Sequence, residues 1–325
     1  MKLVTFRTPD RKTHAGVVHN ERVFMLDYPT LLELLRDPDG IAKALQTLNG
    51  GYTIDVPVTP VTPLPGGAAL GLTVPVKVGA EEFILNELEL LAPIPDPPSV
   101  RDFYAFEQHV KTARAKRGLG MIPEWYEVPI FYFTNNSEIY GEDEVVPYPA
   151  GSKELDIELE IACIIGREGK DISVEEADQY IAGYTIMNDW SARDFQRRDM
   201  KLNLGPGKGK DFATSLGPWL VTLDELEPRR IGYGVHERYD MPMIARINGK
   251  EISRGNFKDI YYSFPQMIAW GSHNARLRVG DVLGSGTVGT GCILELGTEV
   301  HPWLERGDVV ELEVEGIGVL RNKIM

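Results

Sequence analysis

Cysteine is nearly absent: there are two, Cys163 and Cys292, in 325 residues. Both lie in apolar, strand-like runs, which argues against a disulfide framework and predicts buried free thiols. Long apolar runs are missing too. No stretch approaches the length of a membrane span, and Met1-Lys2-Leu3-Val4-Thr5-Phe6-Arg7 meets charge before any apolar signal core could form. Basic charge is scarce, with 34 Lys and Arg against 48 Asp and Glu, a formal net charge of -14. This balance argues against non-specific binding to nucleic acid or to an anionic membrane. It leaves room for an anionic substrate, because local arginines override the global field. Internal repeats and low-complexity tails are also lacking. The expectation is a cytoplasmic enzyme or binding protein.

What is present is an ordinary globular composition, 43% hydrophobic and 25% charged, sufficient to bury a sizeable core. Strand patterns at Lys2 to Arg7, Ala15 to Val18 and Val23 to Leu26 predict a small β-rich start. Helical spacing follows at Thr30 to Leu35 and Ile41 to Leu48, and Gly50-Gly51 closes this part. Residues 55–79 suit strands, turns or an extended connection. Four prolines between Pro93 and Pro98 mark a linker, dividing the chain into 1–92 and 93–325. Beyond it, Asp102 can cap a helix from Phe103 to about Lys116. Strand-like runs recur at Pro129 to Thr134, Ile157 to Ile165, Ile181 to Met187, Trp219 to Leu223, Met243 to Ile247, Val282 to Leu283, Ile293 to Leu296 and Val309 to Val314. The pattern is β-rich with a few helices rather than regular βαβ alternation.

The chemistry concentrates in Asp156-Ile157-Glu158-Leu159-Glu160-Ile161-Ala162-Cys163. Strict alternation puts Glu158 and Glu160 on one strand face and Ile157, Leu159, Ile161 and Cys163 on the other. Two carboxylates about 7 Å apart on one strand face, inside an apolar run, need a cation or solvent to meet them. Asp189 closes the next apolar run. Three carboxylates at strand faces and ends suggest a site for a hard, oxygen-loving metal; the plain alternative is an amphipathic surface strand and an unrelated helix cap.

Other segments offer partners. On the expected helix His109 follows Asp102 by seven residues, two turns on, so both face one side. Arg193, Gln196 and Arg197 share a helix face after Asp189. Leu204 to Phe212 lacks the spacing of a phosphate loop and reads instead as a mobile glycine-rich loop carrying Lys210. Gly284 to Gly291 can present backbone N–H groups and a hydroxyl to an oxyanion or carboxylate. Glu295, in a buried-looking strand, wants a partner such as a histidine. The glycines at 118 and 120, just after His109, predict a lid.

In this order, Asp102-Phe103-Tyr104 with His109, Glu158-Leu159-Glu160, Asn188-Asp189-Trp190-Ser191-Ala192-Arg193-Asp194 with Gln196, Gly209-Lys210-Asp211-Phe212, Ser285-Gly286-Thr287 and Leu294-Glu295 resemble the fumarylacetoacetate hydrolase family. The resemblance covers roughly residues 93–325. It implies an α+β, β-rich fold: a mixed β-roll catalytic domain, usually dimeric, with a small β-rich N-terminal domain. It also implies a divalent cation held by Asp102, Glu158, Glu160 and Asp189, with Mg2+, Ca2+ or Mn2+ suited to four carboxylates. By similarity His109 activates water and Glu295 orients it. Tyr104, Arg193, Gln196, Lys210 and Thr287 line the pocket for a small anionic keto acid, and Thr214 lies near the metal-side loop.

The chain departs from fumarylacetoacetases where they read substrate. Met200 replaces a tyrosine, Phe131-Tyr132-Phe133-Thr134-Asn135 replaces Gly-Tyr-His-Gly-Arg, and Gly118 stands where an arginine is expected. Many of the family's isomerases and decarboxylases carry a lysine in the 131–134 stretch, and this chain has none. The resemblance therefore implies a metal-dependent hydrolase that splits a C–C bond in a small β-diketo acid or acylpyruvate. Decarboxylation, hydration or isomerisation of 2-oxo or 2-hydroxydienoate diacids is the alternative, and a non-catalytic metal-dependent binding protein is the third reading.

Overall fold

A computed structural model describes residues 1–48, 52–58, 72–78 and 80–325. The strands that matter here are β1 (Lys2–Arg7), β2 (Thr13–His19), β3 (Arg22–Met25), β4 (Glu82–Ile84), β5 (Val100–Phe103), β6 (Phe131–Thr134), β7 (Leu159–Ile165), β8 (Ile181–Asp189), β9 (Thr214–Val221), β10 (Pro242–Ile247), β11 (Lys250–Asn256), β12 (Val282–Gly284), β13 (Val309–Val314) and β14 (Gly318–Ile324). The helices are α1 (Leu31–Arg36), α2 (Gly40–Leu48), α3 (Glu107–Ala115), α4 (Arg193–Met200), α5 (Phe264–Ser272) and α6 (Ile293–Leu296). Ten strands of a mixed 12-stranded sheet run β4-β3-β2-β1-β9-β8-β7-β12-β5-β6, with two short strands paired off this path, and a five-stranded sheet is built mainly from β14, β13, β10 and β11. The fold is α+β and β-rich, as expected.

Alternation in β7 explains the layering. Ile161, Cys163 and Ile165 join a core with Met243, Ala245, Val310 and Leu312 of the second sheet. Ala162 and Ile164 point the other way, into a core with Leu3, Leu31, Leu34, Ile94 and Leu216. All of β7 is buried, so the glutamate-bearing face is covered by the N-terminal segment. The amphipathic surface strand does not exist. The hydrogen-bonded sheet also crosses the proposed boundary near residue 93, since β1 pairs antiparallel with β9. A division into 1–92 and 93–325 is thus a proposal about folding units that share one sheet. Residues 52–58 and 72–78 pair as antiparallel strands; the rest of the 55–79 reading, and Gly50-Gly51, lie outside the described residues.

Three expectations are corrected. No helix starts at Phe103: residues 100–103 form β5, paired parallel to β12 and antiparallel to β6, and α3 begins only at Glu107. Asp102 is a strand residue, so helical spacing does not relate it to His109. Two-sided strand pairing has overridden the local capping signal. Ile293 to Leu296 is a short helix rather than a strand. Its first N–H groups, on Ile293 and Leu294, donate to the Asp156 carboxylate at 2.7 and 3.0 Å. This cap comes from far upstream in the chain and leaves no local signature. Finally, the run at Trp219 is the end of β9, and Leu223 already starts a helical turn.

Because the N-terminal segment covers one face of the shared sheet, Leu34→Ala, at a fully buried site, should cost about 2–5 kcal/mol. Chemical denaturation should show one transition by every probe. Two separable transitions would instead make residues 1–92 an independent folding unit.

Candidate metal and proton-transfer site

Four carboxylates from four places in the sheet converge. Asp102 comes from β5, Glu160 from β7, Glu158 from just before β7, and Asp189 from the end of β8. One oxygen from each lies within 4.8 Å of the others, and all four residues are buried. Local structure is shaped around them. The Glu158 N–H donates to Asn188 Oδ1 at 2.9 Å, which locks the β7 entry to β8. Gly286 donates its N–H to Asp102 Oδ1 at 3.2 Å and Glu160 Oε2 at 3.1 Å. It does so with φ +76°, and a Cβ there would meet Phe103 O at 2.5 Å, so only glycine fits. This is the carboxylate contact expected of the Gly284–Gly291 loop.

Two cations answer the four acids. Lys210 Nζ lies 2.5 Å from Glu158 Oε2 and 2.6 Å from Asp189 Oδ2. Arg193 places Nη2 2.9 Å from Glu158 Oε1 and donates through Nε to Asp156 Oδ2 at 2.8 Å. Charge compensation is uneven. Burial, then the nearby Asp189 charge, pushes the Asp102 carboxyl well above its usual range. Burial, then Asp102, does the same to Glu160. Burial also raises Asp189, with Lys210 opposing. Burial works against Glu158 as well, but Lys210, Arg193 and His109 together bring it down to about 2. Asp189 Oδ1 and Thr214 Oγ1 are buried without a hydrogen-bond partner among the described residues. A divalent cation fits this set: the donors are all oxygen, two positive charges are missing, and one acceptor is orphaned.

His109 on α3 and Glu295 on α6 form a second pair, with Nδ1 2.5 Å from Oε1. The other carboxylate oxygen of Glu295 accepts from the Thr290 N–H. Tyr104 packs edge-on to the His109 ring at 5.2 Å, and burial lifts its hydroxyl to about 12. Thr287 Oγ1 lies 3.5 Å from Glu160 Oε1. Gln196 accepts from Arg193 Nη1 at 3.0 Å. The structure therefore brings every expected site residue into one region. Arg193, however, is engaged by Asp156, Glu158 and Gln196, so its first task is internal.

Two residues went unassigned in the sequence. Asp156, fully buried, both caps the helix carrying Glu295 and holds Arg193, so it ties the two pairs together. Its signal was its place in the same motif as the glutamates. Tyr132 donates its hydroxyl to Asp189 Oδ2. It lies in the 131–135 stretch where the chain departs from fumarylacetoacetases, and nothing local in the sequence points to its partner.

A pH dependence follows. A carboxyl whose folded-state pKa is raised stabilises the cation-free protein at low pH, and that contribution is lost as pH rises through the raised value. Bound metal replaces those protons, so its gain should grow with pH. Mn2+ or Mg2+ should raise the unfolding midpoint more at about pH 8 than at about pH 6. Equal gains at both would contradict proton–metal competition at Asp102 and Glu160.

Comparison with known proteins gives the family. The model for the fumarylacetoacetate (FAA) hydrolase C-terminal domain matches residues 99–325. A fumarylacetoacetase of Oryza sativa subsp. japonica is 33% identical over 290 residues, covering 70% of this chain and 66% of that protein. The mitochondrial oxaloacetate tautomerase Fahd2a of Rattus norvegicus is 34% identical over 198 residues, 61% of this chain and 59% of that protein. Maleylpyruvate hydrolase from Sphingobium sp. SYK-6, solved with manganese(II) and pyruvate, superposes with a TM-score of 0.68 at 20% identity, covering 100% of this chain and 99% of that one. Among the first curated relatives matched, the chain spans between 48% and 66% of their length. With the family model matched across most of its residues, the chain belongs to the fumarylacetoacetate hydrolase family.

Proposed function

We propose that the protein is a divalent-metal-dependent hydrolase that cleaves a C–C bond in a small, anionic β-diketo acid or acylpyruvate. The observation that carries this reading is the His109–Glu295 pair beside the four-carboxylate cluster. A metal-binding protein without catalysis has no use for a buried imidazole held by a carboxylate.

Asp102, Glu158, Glu160 and Asp189 would hold the cation, with Mg2+ proposed and Ca2+ or Mn2+ also suited. When bound, it supplies Lewis-acid polarisation of substrate oxygens. The rest falls to the chain. Glu295 takes the Nδ1 hydrogen bond of His109, which leaves Nε2 free to accept a proton from water. Lys210, kept charged by Asp189 and Glu158 despite burial, is a fixed positive charge for the developing anion. Tyr104, Gln196, Thr287 and Arg193 complete the wall. The expectation of a cytoplasmic homodimer stays with this reading, and light scattering on purified protein tests the dimer.

A second reaction on the same site, tautomerisation or decarboxylation, is favoured by the departures at Gly118 and Met200 and by the similarity to a tautomerase. One experiment separates the two. His109→Ala should lower hydrolytic turnover by about 100-fold or more while metal affinity, measured by calorimetry, changes little. Glu295→Gln should act in the same direction. Glu158→Ala should lose metal and activity together. Full activity in His109→Ala on the best keto-acid substrate would reject water activation and favour the second reaction.

The segment after α3 belongs to this proposal as a lid. Leu119 and Ile122 are exposed, and Gly118 and Gly120 leave the backbone unencumbered. Amides of residues 118–122 should gain protection from hydrogen exchange when an acylpyruvate analogue binds; unchanged protection removes the lid.

A further inference from the structure

Beside the oxygen-only cluster lies a group of different chemical character. Cys292, which the proposed hydrolysis does not use, is fully buried. Its sulfur, a ring nitrogen of His109 and a carboxylate oxygen of Glu295 all lie within 4.8 Å of one another. Two of these ligands come from one turn of chain, because Cys292 is the N-cap of α6 and Glu295 sits in its first turn. The third comes from α3, packed opposite. Nothing in hydrolytic chemistry requires a sulfur there.

We infer that His109, Cys292 and Glu295 form a second, inhibitory metal site for a borderline-soft divalent cation, Zn2+ or its analogue Co2+. The donor set decides the ion. One nitrogen, one thiolate sulfur and one carboxylate oxygen suit Zn2+ and Co2+, whereas Mg2+ and Ca2+ take oxygen ligands. Three protein ligands leave a fourth tetrahedral position for water or a substrate oxygen. Charge balances as well: thiolate and carboxylate together cancel the cation, binding releases the thiol proton, and the imidazole keeps its single proton, which passes from Nδ1 to Nε2. The Thr290 N–H already holds one Glu295 oxygen, so the other can pass from imidazole to metal without the side chain losing its anchor.

The effect on His109 follows from which nitrogen is used. Nδ1 faces Glu295. A cation there takes the Nδ1 lone pair and fixes the remaining proton on Nε2, so the nitrogen that must accept a proton from water can only donate. This consequence rests on the hydrolytic reading of His109; the existence of the site does not.

The experiment therefore has a spectroscopic arm and a kinetic arm. Protein preloaded with Mg2+ is titrated with Co2+ and read in the near-ultraviolet for the thiolate-to-cobalt charge-transfer band. Wild type and Cys163→Ser should both develop the band, and Cys292→Ser should not. Unlabelled Zn2+ should abolish it by competition. In parallel, Zn2+ should lower wild-type turnover by about 100-fold, the contribution of the general base, and should leave Cys292→Ser active with Mg2+. Cys292→Ala substitutes should the serine variant fail to fold. A wild-type protein without the band, or a band that follows Cys163 instead, overturns the site. If no keto acid is turned over at all, the hydrolytic reading fails, and the cobalt band alone still decides the metal site.

Discussion

Four buried carboxylates facing two buried cations are the constraint on which the rest of this structure depends. Desolvating an isolated carboxylate costs several kcal/mol even after relaxation, and here four are placed within reach of one another. The protein meets part of that cost internally. Lys210 bridges Glu158 and Asp189, Arg193 reaches Glu158, and one backbone N–H from Gly286 serves Asp102 and Glu160. The remainder is uncompensated, and its location is visible: Asp102 and Glu160, which no cation among the described residues touches, are the two of the four carboxyls pushed furthest up. This shortfall of positive charge is what supports the proposal of a divalent cation at the cluster.

The fold supplies the convergence. Central strands place Asp189 and Glu160 on the adjacent strands β8 and β7, and Asp102 on β5 one strand further on, beyond β12, where small register errors would scatter them. The N-terminal segment contributes none of these groups, yet it seals the glutamate-bearing side of the sheet with Leu3, Leu31 and Leu34. Asp156 performs the complementary task at the other end. By capping α6 and holding Arg193, one carboxylate fixes both the partner of His109 and the counter-charge of Glu158. The His109–Glu295 pair and the four-carboxylate cluster are thereby tied together by a residue belonging to neither.

Much of this was legible in the chain. The Glu158–Glu160 alternation survives intact because period-two geometry is local, and Leu159, Ile161 and Cys163 line one face as read. The strands at Lys2–Arg7 and Val309–Val314 were visible for the same reason. What failed was what depended on distant partners. Asp102 carried a credible helix-cap signal, but pairing with β12 and β6 made its neighbourhood a strand. The apolar run at Ile293 read as a strand, and a cap from Asp156 turned it into a helix. That Glu295 needs a partner such as a histidine follows from its apolar setting, and the family resemblance names His109; His109 lies on a helix as expected, though one that starts later, whereas Glu295 lies on a short helix rather than a strand. The partner of Tyr132 had no local trace at all, since a hydroxyl reaching Asp189 across the sheet obeys only tertiary geometry.

The central claim is that the acidic cluster exists to hold a divalent cation. Crystals grown with Mn2+ and measured at a wavelength that excites its anomalous scattering test it most directly. The account predicts one strong anomalous peak enclosed by Asp102, Glu158, Glu160 and Asp189, at about 2.0 to 2.6 Å from their oxygens. An empty map there, at Mn2+ concentrations that saturate any binding seen by calorimetry, or a peak elsewhere with Lys210 alone compensating the cluster, would contradict it.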